Sequence, residues 1–175
     1  MPYPKAAIFA IPQGRSWHDT AMEALDRRIL SLLARDGRMS YTDIGKETGL
    51  STSAAQQRVR RLEQRGVIRG YRAVLDSALL GHFVTAFVAI KPFDPSQADD
   101  APERLAGIEE IISCYSVAGE PNYLLKVQVE TMSHLESLLA RIRAEAKCST
   151  HTTTVLSTAY ENRPEIAEPD QPANG

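Results

Sequence analysis

The sequence predicts an α+β fold with an N-terminal winged helix-turn-helix and a C-terminal ferredoxin-like βαββαβ domain of ACT-like type. Two observations lead to this prediction. The first half contains three short helical patterns, with a glycine-containing turn between the second and third. In the second half, β-rich stretches and amphipathic stretches follow in the order βαββαβ. The 175 residues are enough for two small domains, each with a modest core.

The first predicted helix is amphipathic. Ser31 is expected to turn away from its apolar face, and the helix is expected to end before Asp36. The apolar side chains recur at helical spacing and are Met22, Leu25, Ile29 and Leu32.

The second and third helices carry their own start and stop signals. Ser40 is the predicted N-cap of the second helix, which ends at Gly49 because glycine adopts the left-handed conformation that closes a helix. Ser51 is the predicted N-cap of the third helix, over residues 52–65. The β-rich residues 67–75 then predict a small wing strand or hairpin.

The second half is predicted to contain four strands and two helices. The strands are expected at residues 83–91, 111–117, 123–129 and 152–160. Between the first two strands, residues 96–107 are polar and compatible with a helix. Ser133 and Glu136 match a capping box at the start of the second helix.

The composition is typical of a globular protein, with 43% hydrophobic and 24% charged residues. No apolar run approaches the roughly 18 residues that span a bilayer, so no membrane association is expected. The 2 cysteines, Cys114 and Cys148, favour a cytoplasmic protein with reduced thiols. Cys148 and His151 have a ligand-like spacing, but no second pair completes a tetrahedral site. Neither a metal nor another cofactor is therefore predicted.

Charge is distributed unevenly along the chain. Residues 22–75 carry 11 Arg or Lys against 6 Asp or Glu, whereas residues 76–175 carry 7 against 15. The net charge of −2 therefore conceals a basic first half and an acidic second half. A basic module of this kind is typical of polyanion binding, which indicates nucleic acid as its partner.

The third helix is predicted to have two opposed faces. Projection at about 100° per residue places Ala55, Val59 and Leu62 on the inner side and a polar row on the other. Such a row suits the major groove of DNA, because Gln pairs with adenine and Arg with guanine. Residues near the N-terminus of such a helix reach the bases, and the arginines are better placed for phosphate. The predicted DNA-binding residues are Thr52, Ser53, Gln56, Gln57, Arg60, Arg61, Arg69 and Arg72.

The same pattern has a simpler interpretation as a solvated helix face. The basic context and the preceding helix and turn favour DNA over that alternative. Arg58 lies near the edge of the inner stripe. A structural pairing of Arg58 with an acidic neighbour and a contact with DNA are equally compatible with that position.

These residues resemble the Lrp/AsnC family, the feast/famine regulators of bacteria and archaea. Residues 22–30 are similar to the opening helix of the family, residues 50–53 and 58–63 to its recognition helix, and residues 66–71 to the strand that follows. The resemblance covers residues 22–160. It implies a regulator of amino-acid metabolism genes that binds double-stranded operator DNA. It also implies a homodimer that assembles into tetramers or octamers, with an amino-acid effector bound between subunits of the C-terminal domain.

The resemblance further implies an effector loop and two polar positions on the last strand. The family's common sequence at the loop is a glycine, two residues, Asp and Tyr. Asn122 departs from it and lacks the carboxylate that would pair with an α-ammonium group, although Glu120 could compensate. By themselves these residues indicate only a β-turn and good strand formers. The implied effector residues are Gly119, Glu120, Pro121, Asn122, Tyr123, Thr150 and Thr152.

A second departure is Gly45, where the family usually has Ala. Glycine costs about 1 kcal/mol in a helix interior, but a small residue there permits close helix packing.

The predicted domains follow from these assignments. A flexible arm (1–20) precedes the winged helix-turn-helix DNA-binding domain (21–76) and a linker (77–81). The effector-binding and oligomerisation domain (82–160) and a disordered, acidic, Pro-rich tail (161–175) complete the chain.

Two other classes of function compete with a regulator. The chain has no recognisable triad motif, HExxH or phosphate-binding glycine loop, so it is not expected to be an enzyme. A metabolite-binding module whose N-terminal domain docks onto a protein is the alternative. Salt-dependent binding to duplex DNA separates this alternative from a regulator, because phosphate neutralisation gives a steep salt dependence.

The first strand of the second half predicts a partner subunit. Its apolar side chains point to both faces of the sheet, and one helical layer covers only one face. We therefore expect a dimer at minimum. The side chains concerned are Phe83, Val84, Phe87, Val88 and Ile90.

Overall fold

The structure is a computed structural model that describes residues 22–94, 96 and 100–164. The chain divides into two compact units, one with the described residues up to Val74 and the other spanning Leu75–Ala159. The arm predicted at 1–20 and residues 165–175 of the predicted tail lie outside the described residues. Within the described part, no helix has the length and apolar character needed to cross a membrane.

Three α-helices form the first unit: α1 (Ala24–Arg35), α2 (Tyr41–Thr48) and α3 (Thr52–Gln64). Their apolar sides meet in one core, which confirms the inner stripe predicted for α3. The buried members of this core are Ile29, Leu30, Ile44, Ala55, Val59 and Leu62.

The second and third helices begin at the predicted serine caps. Ser40 Oγ accepts a hydrogen bond from the backbone N–H of Asp43 at 3.1 Å, and Ser51 Oγ accepts one from Ala54 at 3.2 Å. Each cap satisfies a backbone donor that the first turn of a helix leaves unpaired. Gly49, with φ 71, closes α2 in the left-handed conformation, as predicted.

Gly45 allows a tight turn between α2 and α3. A Cβ atom built at Gly45 would lie 2.6 Å from the carbonyl oxygen of Leu50, which is closer than real Cβ contacts. The carbonyl of Gly45 in turn accepts the backbone N–H of Leu50 at 2.9 Å. The expected close packing is therefore confirmed, and only a residue without a Cβ fits this backbone unchanged.

The wing predicted at residues 67–75 is not a strand in this structure. The segment is irregular, and no strand of the described first unit lies beside it. Tyr71 anchors the segment instead, because its hydroxyl donates to Glu63 Oε1 at 3.0 Å and its ring lies against Gly37. Burial, together with the Glu63 carboxylate, raises the pKa of Tyr71 to about 12, so its hydroxyl remains a donor at neutral pH. A β-rich stretch without a partner strand has no ladder to join.

Ser31 is not turned to solvent as predicted. Its side chain is 1% exposed, and its Oγ has no hydrogen-bond partner among the residues that the structure describes. The buried face of α1 is wider than the apolar stripe, because it also includes Asp26, Leu30 and Ser31.

The second unit has the predicted βαββαβ order. Its elements are β1 (Val84–Pro92), α4 (Ala101–Leu105), β2 (Ile111–Ser116), β3 (Tyr123–Val129), α5 (Met132–Ala146) and β4 (Cys148–Thr154). The strands form one antiparallel sheet in the order β2-β3-β1-β4, which is the ferredoxin-like arrangement. Buried side chains of the sheet, α4 and α5 form a single core on one face.

Three elements of this unit differ from the predictions by more than one residue at a boundary. The first helix of this unit is shorter than residues 96–107, part of which lies outside the described residues. The second helix begins at Met132 and has Thr131 as its N-cap, whose Oγ1 accepts the backbone N–H of His134 at 3.1 Å, so Ser133 and Glu136 do not form the capping box. The last strand is shifted towards the N-terminus because β1 offers it pairing partners only from Pro92 back to Ala86.

Candidate functional site

The polar face predicted for α3 lies opposite the core. We call it the α3 outer face, formed by Thr52, Ser53, Gln56, Gln57, Arg60 and Arg61. All of its side chains are exposed except that of Gln56, which is half-buried. The structure thus brings together the predicted DNA-binding residues of this helix.

Hydroxyl groups cluster at the N-terminal end of the α3 outer face. Ser51 Oγ lies 3.1 Å from Ser53 Oγ, and Thr52 Oγ1 lies 3.4 Å from Thr42 Oγ1 of α2. The amides at a helix start carry partial positive charge that favours anions such as phosphate. Sequence reasoning missed Thr42, although it follows the Ser40 cap by only two residues. Its hydroxyl extends the polar surface from α3 onto α2.

Arg58 has a structural role, which decides between its two interpretations. Its Nη1 donates to Asp26 Oδ1 and to Glu23 Oε2, both at 2.7 Å. The bonds to Glu23 and Asp26 raise the pKa of Arg58 above its ordinary value. The ion pairs tie α3 to the start of α1 and so fix the direction in which the α3 outer face points.

Arg69 and Arg72 lie on the irregular segment that follows α3, and both are exposed. Tyr71 stands between them in sequence and is bonded to Glu63 of α3. The anchored tyrosine therefore holds both arginines to the same compact unit as the α3 outer face.

The predicted effector loop joins β2 to β3 at one end of the sheet. Its backbone is fixed by two hydrogen bonds of 3.0 Å: Val117 N–H donates to the carbonyl of Asn122, and Asn122 N–H donates to the carbonyl of Ile90. Tyr123 follows as a core residue that is 7% exposed. Asn122 itself is half-buried.

Thr150 and Thr152 lie on the other side of β1 from this loop. Ile90 pairs with Tyr123 on β3 and with Thr150 on β4, so these three residues form one row across the sheet. Thr152 pairs with Val88, one step further along the same face. The register thus brings the loop and Thr150 to the same end of the sheet, with Ile90 between them.

Two cations at this end of the sheet were missed by sequence reasoning. Lys91 Nζ lies 3.4 Å from Glu120 Oε1, and Arg143 Nη1 donates to Thr150 Oγ1 at 3.1 Å. Glu120 is thus paired within the chain, which weakens its ability to substitute for the carboxylate that Asn122 lacks. The sequence signal for Arg143 that was not used is its position in the last turn of the helix that precedes β4.

A cavity of about 520 Å³ in the second unit lies elsewhere. Its lining includes His82, Glu110, Gln128 and Arg141 but no residue of the effector loop. The loop is therefore not part of this concave site of the single chain. No group of three or more His, Cys, Asp or Glu side chains in the described part is arranged to hold a metal ion.

Comparison with known proteins matches both units to one family. An AsnC-type helix-turn-helix domain matches residues 22–63, and an Lrp/AsnC ligand binding domain matches residues 85–165. The chain is 51% identical over 146 residues to the HTH-type transcriptional regulator LrpA of Mycobacterium tuberculosis, covering 83% of this chain and 97% of that protein. It is 39% identical over 123 residues to the leucine-responsive regulatory protein of Escherichia coli K12, and this match covers 67% of this chain and 73% of that protein.

A solved structure shows the same similarity. The feast or famine regulatory protein Rv3291c from M. tuberculosis, complexed with L-methionine, has a TM-score of 0.82 and 50% sequence identity to the chain. The match covers 84% of this chain and 100% of that one.

Proposed function

This chain belongs to the Lrp/AsnC family of transcriptional regulators, and we propose that it controls genes of amino-acid metabolism by binding specific operator DNA in response to an amino acid. The family consists of regulators and not of enzymes. The chain accordingly has a helix-turn-helix DNA-binding domain and a ligand-binding domain. In this proposal the DNA-binding domain covers residues 21–76 and the effector-binding and oligomerisation domain covers residues 82–160, joined by a linker at 77–81.

The α3 outer face carries the DNA-binding proposal. It presents amide, hydroxyl and guanidinium groups on a helix whose direction is fixed by the Arg58 ion pairs. Ser53, Gln56 and Gln57 near the start of α3 are proposed to reach base edges, and Thr52 a base edge or a phosphate. Arg60, Arg61, Arg69 and Arg72 are proposed to contact phosphates. The similar regulators come from bacteria, whose chromosome lies in the cytoplasm, and the proposed location is therefore the cytoplasm.

The effector is proposed to bind at the loop–Thr150 end of the sheet. Support comes from the row of Tyr123, Ile90 and Thr150 and from the L-methionine bound by the similar protein of M. tuberculosis. Gly119, Glu120, Pro121 and Asn122 supply the loop, and Thr150 and Thr152 supply hydroxyls. The loop does not line the cavity described above, and we propose that a second subunit completes the site.

A homodimer that assembles further into tetramers or octamers is part of the proposal. Ala86, Val88 and Ile90 of β1 are buried on the helix-covered face. Phe87 and Ala89 alternate with them and point to the opposite face, where they are only half-buried. Phe83, just before β1, is 69% exposed. Contact with a second subunit would remove this apolar surface from water.

DNA binding tests the proposal directly. Fluorescence anisotropy with the promoter of the chain's own gene and a scrambled duplex, between about 50 and 200 mM salt, should show preference for the promoter and a steep loss of affinity with salt. A protein-docking domain would show neither. Footprints repeated with each of the twenty amino acids should identify an effector that changes the protected region.

A further inference from the structure

Arg143 is placed to reach the proposed effector site from α5. Its Nη1 donates to Thr150 Oγ1 at 3.1 Å, and Thr150 is the β4 member of the row that contains Ile90 and Tyr123. The guanidinium is exposed and forms no ion pair with the described residues. Because a guanidinium has five N–H donors in a planar fork, this single bond leaves donors for a ligand.

Arg141, two residues earlier on α5, provides a contrast. Its Nε donates to Glu145 Oε1 at 2.9 Å, and its Nη1 lies 3.9 Å from Glu110 Oε2. Arg141 is thus held by carboxylates of the chain itself, whereas Arg143 is bonded to a neutral hydroxyl. Of the two guanidinium groups, Arg143 is the one suited to an external carboxylate.

Further charged groups lie around this end of the sheet. Lys147 joins α5 to β4, and its carbonyl accepts the backbone N–H of Phe93, which fixes it beside the end of β1. Lys91 and Arg143 lie at the same end, where Glu120 is already paired with Lys91. Burial raises the pKa of the Cys148 thiol, and the nearby charge of Arg143 opposes that effect. Of these three cations, Arg143 is the one bonded to Thr150, which places it to bind an anionic ligand group there.

We infer that Arg143, together with the Thr150 hydroxyl, binds the carboxylate of the effector and determines the preference of the site for carboxylate ligands. This inference rests on the proposed function, which places the effector at this site. A planar guanidinium can hold a carboxylate through two parallel hydrogen bonds. The ligand class is a small amino acid whose carboxylate contributes more to affinity than its ammonium group, because Asn122 offers only a neutral amide and Glu120 is paired.

Arg143 also has a local role that the test must separate from ligand binding. A cation in the last turn of a helix offsets the negative end of the helix dipole. Loss of that role would weaken binding of any ligand that depends on the position of α5. Loss of a carboxylate contact would weaken only ligands that carry a carboxylate.

The experiment compares an amino acid with its amide by calorimetry on the full chain. L-methionine and L-methioninamide are the first pair, and the amino acid that binds the wild type most tightly, with its amide, is the second. The wild type should prefer each acid. Arg143→Gln should weaken binding of the amino acid about 10- to 100-fold and leave binding of its amide unchanged, because a hydrogen bond to a charged group is lost. Arg143→Lys should retain part of the preference for the amino acid over its amide. The matched control Arg141→Gln should retain the whole preference.

Each other outcome overturns the inference. If Arg143→Gln retains the wild-type preference, or weakens acid and amide equally, Arg143 does not bind the carboxylate. Thr150→Val provides a second variant. It leaves the positive charge of Arg143 in place and should reduce the preference for the amino acid over its amide. If the wild type binds none of the twenty amino acids, the effector site of the proposed function itself fails. If the wild type instead binds an amino acid but Arg143→Gln does not reduce the preference for it over its amide, only the inference about Arg143 fails.

Discussion

Arg58 of α3 donates a 2.7 Å hydrogen bond to Asp26 of α1, and the Asp26 side chain is nearly enclosed, since the residue is 4% exposed. The same nitrogen bonds to Glu23, which is exposed. The two carboxylates therefore differ in their need for the arginine, because an enclosed carboxylate without a partner loses its hydration and gains nothing in return. The orientation of α3 is thereby fixed by an interaction that does not itself involve DNA.

Replacement of Arg58 should therefore destabilise the first unit. We expect Arg58→Ala to lower the free energy of unfolding by about 2–4 kcal/mol, because it leaves Asp26 buried without its cation. Glu23→Gln, the matched control at the exposed partner, should cost no more than about 1 kcal/mol. Urea denaturation measures both variants, and equal effects would contradict the difference argued between the two carboxylates.

Gly45→Ala should also destabilise the chain, although alanine is the better helix former. The helix propensity favours alanine by about 1 kcal/mol. Against that gain, the new Cβ would lie 2.6 Å from the backbone oxygen of Leu50, and such overpacking typically costs about 1–3 kcal/mol. The expected net loss is about 1 kcal/mol, measured by thermal or urea unfolding.

Gly107 supplies the control for this substitution. Its φ lies outside the left-handed region, and no atom of a described residue lies within 4 Å of a Cβ built there, so Gly107→Ala should not destabilise the chain. A Gly45→Ala variant as stable as Gly107→Ala would mean that the turn between α2 and α3 shifts freely to admit a methyl group.

Ser31→Ala should stabilise the chain by about 1 kcal/mol. The hydroxyl is buried and has no partner within residues 22–94, 96 and 100–164, and such a group typically costs about 1–3 kcal/mol, while alanine also has the higher helix propensity. The midpoint of thermal unfolding should rise. Ser137→Ala on α5 is the control, because that serine is exposed and donates to the carbonyl of Ser133. Equal shifts for both variants would assign the effect to helix propensity alone.

The elements that the sequence predicts well are those encoded by neighbouring residues. Ser40 and Ser51 cap helices because each hydroxyl accepts an amide three residues ahead, and Gly49 closes α2 by its own conformational freedom. The alternation of β3 similarly shows which of its side chains are buried. The predicted start of α5 lies too late because Thr131 and Ser133 carry the same capping group, and local sequence does not rank them.

The remaining features depend on contacts between distant residues. Arg58 meets Asp26 across 32 residues, so a helical projection of α3 alone cannot decide its role. Arg143 reaches the proposed effector site only through the pairing of β4 with β1, and Lys91 meets Glu120 across 29 residues. The predicted wing was wrong for the same reason, since a strand requires a partner strand and residues 67–75 have none in the described part of the chain.

Gln57 and Arg61 should contribute differently to DNA binding. Gln57 lies nearer the start of α3, so Gln57→Ala should weaken operator binding by about 1–3 kcal/mol and relax the preference at one base pair. Arg61→Ala should weaken all sequences alike and reduce the salt slope by about 1. Anisotropy with operator and random duplexes at several salt concentrations measures both effects. Equal losses on operator and random DNA for both variants would refute the division between base contact and phosphate contact.

Asn122→Asp should strengthen binding of a free amino acid. The substitution introduces a carboxylate for the ligand's ammonium, and a hydrogen bond to a charged group contributes about 1.5–3 kcal/mol against about 0.5–1.5 for a neutral one. We expect a gain of about 1 kcal/mol. Glu120 does not cancel this gain, because its carboxylate is 3.4 Å from Lys91 Nζ. Glu120→Gln alone should therefore change the affinity for the amino acid little. In the double variant with Asn122→Asp, Lys91 no longer pairs with Glu120 and can attract the new Asp carboxylate instead. The gain in affinity should therefore be smaller in the double variant than in Asn122→Asp. Calorimetry on the wild type and these three variants measures the coupling, and an unchanged affinity in Asn122→Asp would place the ammonium of the effector away from this loop.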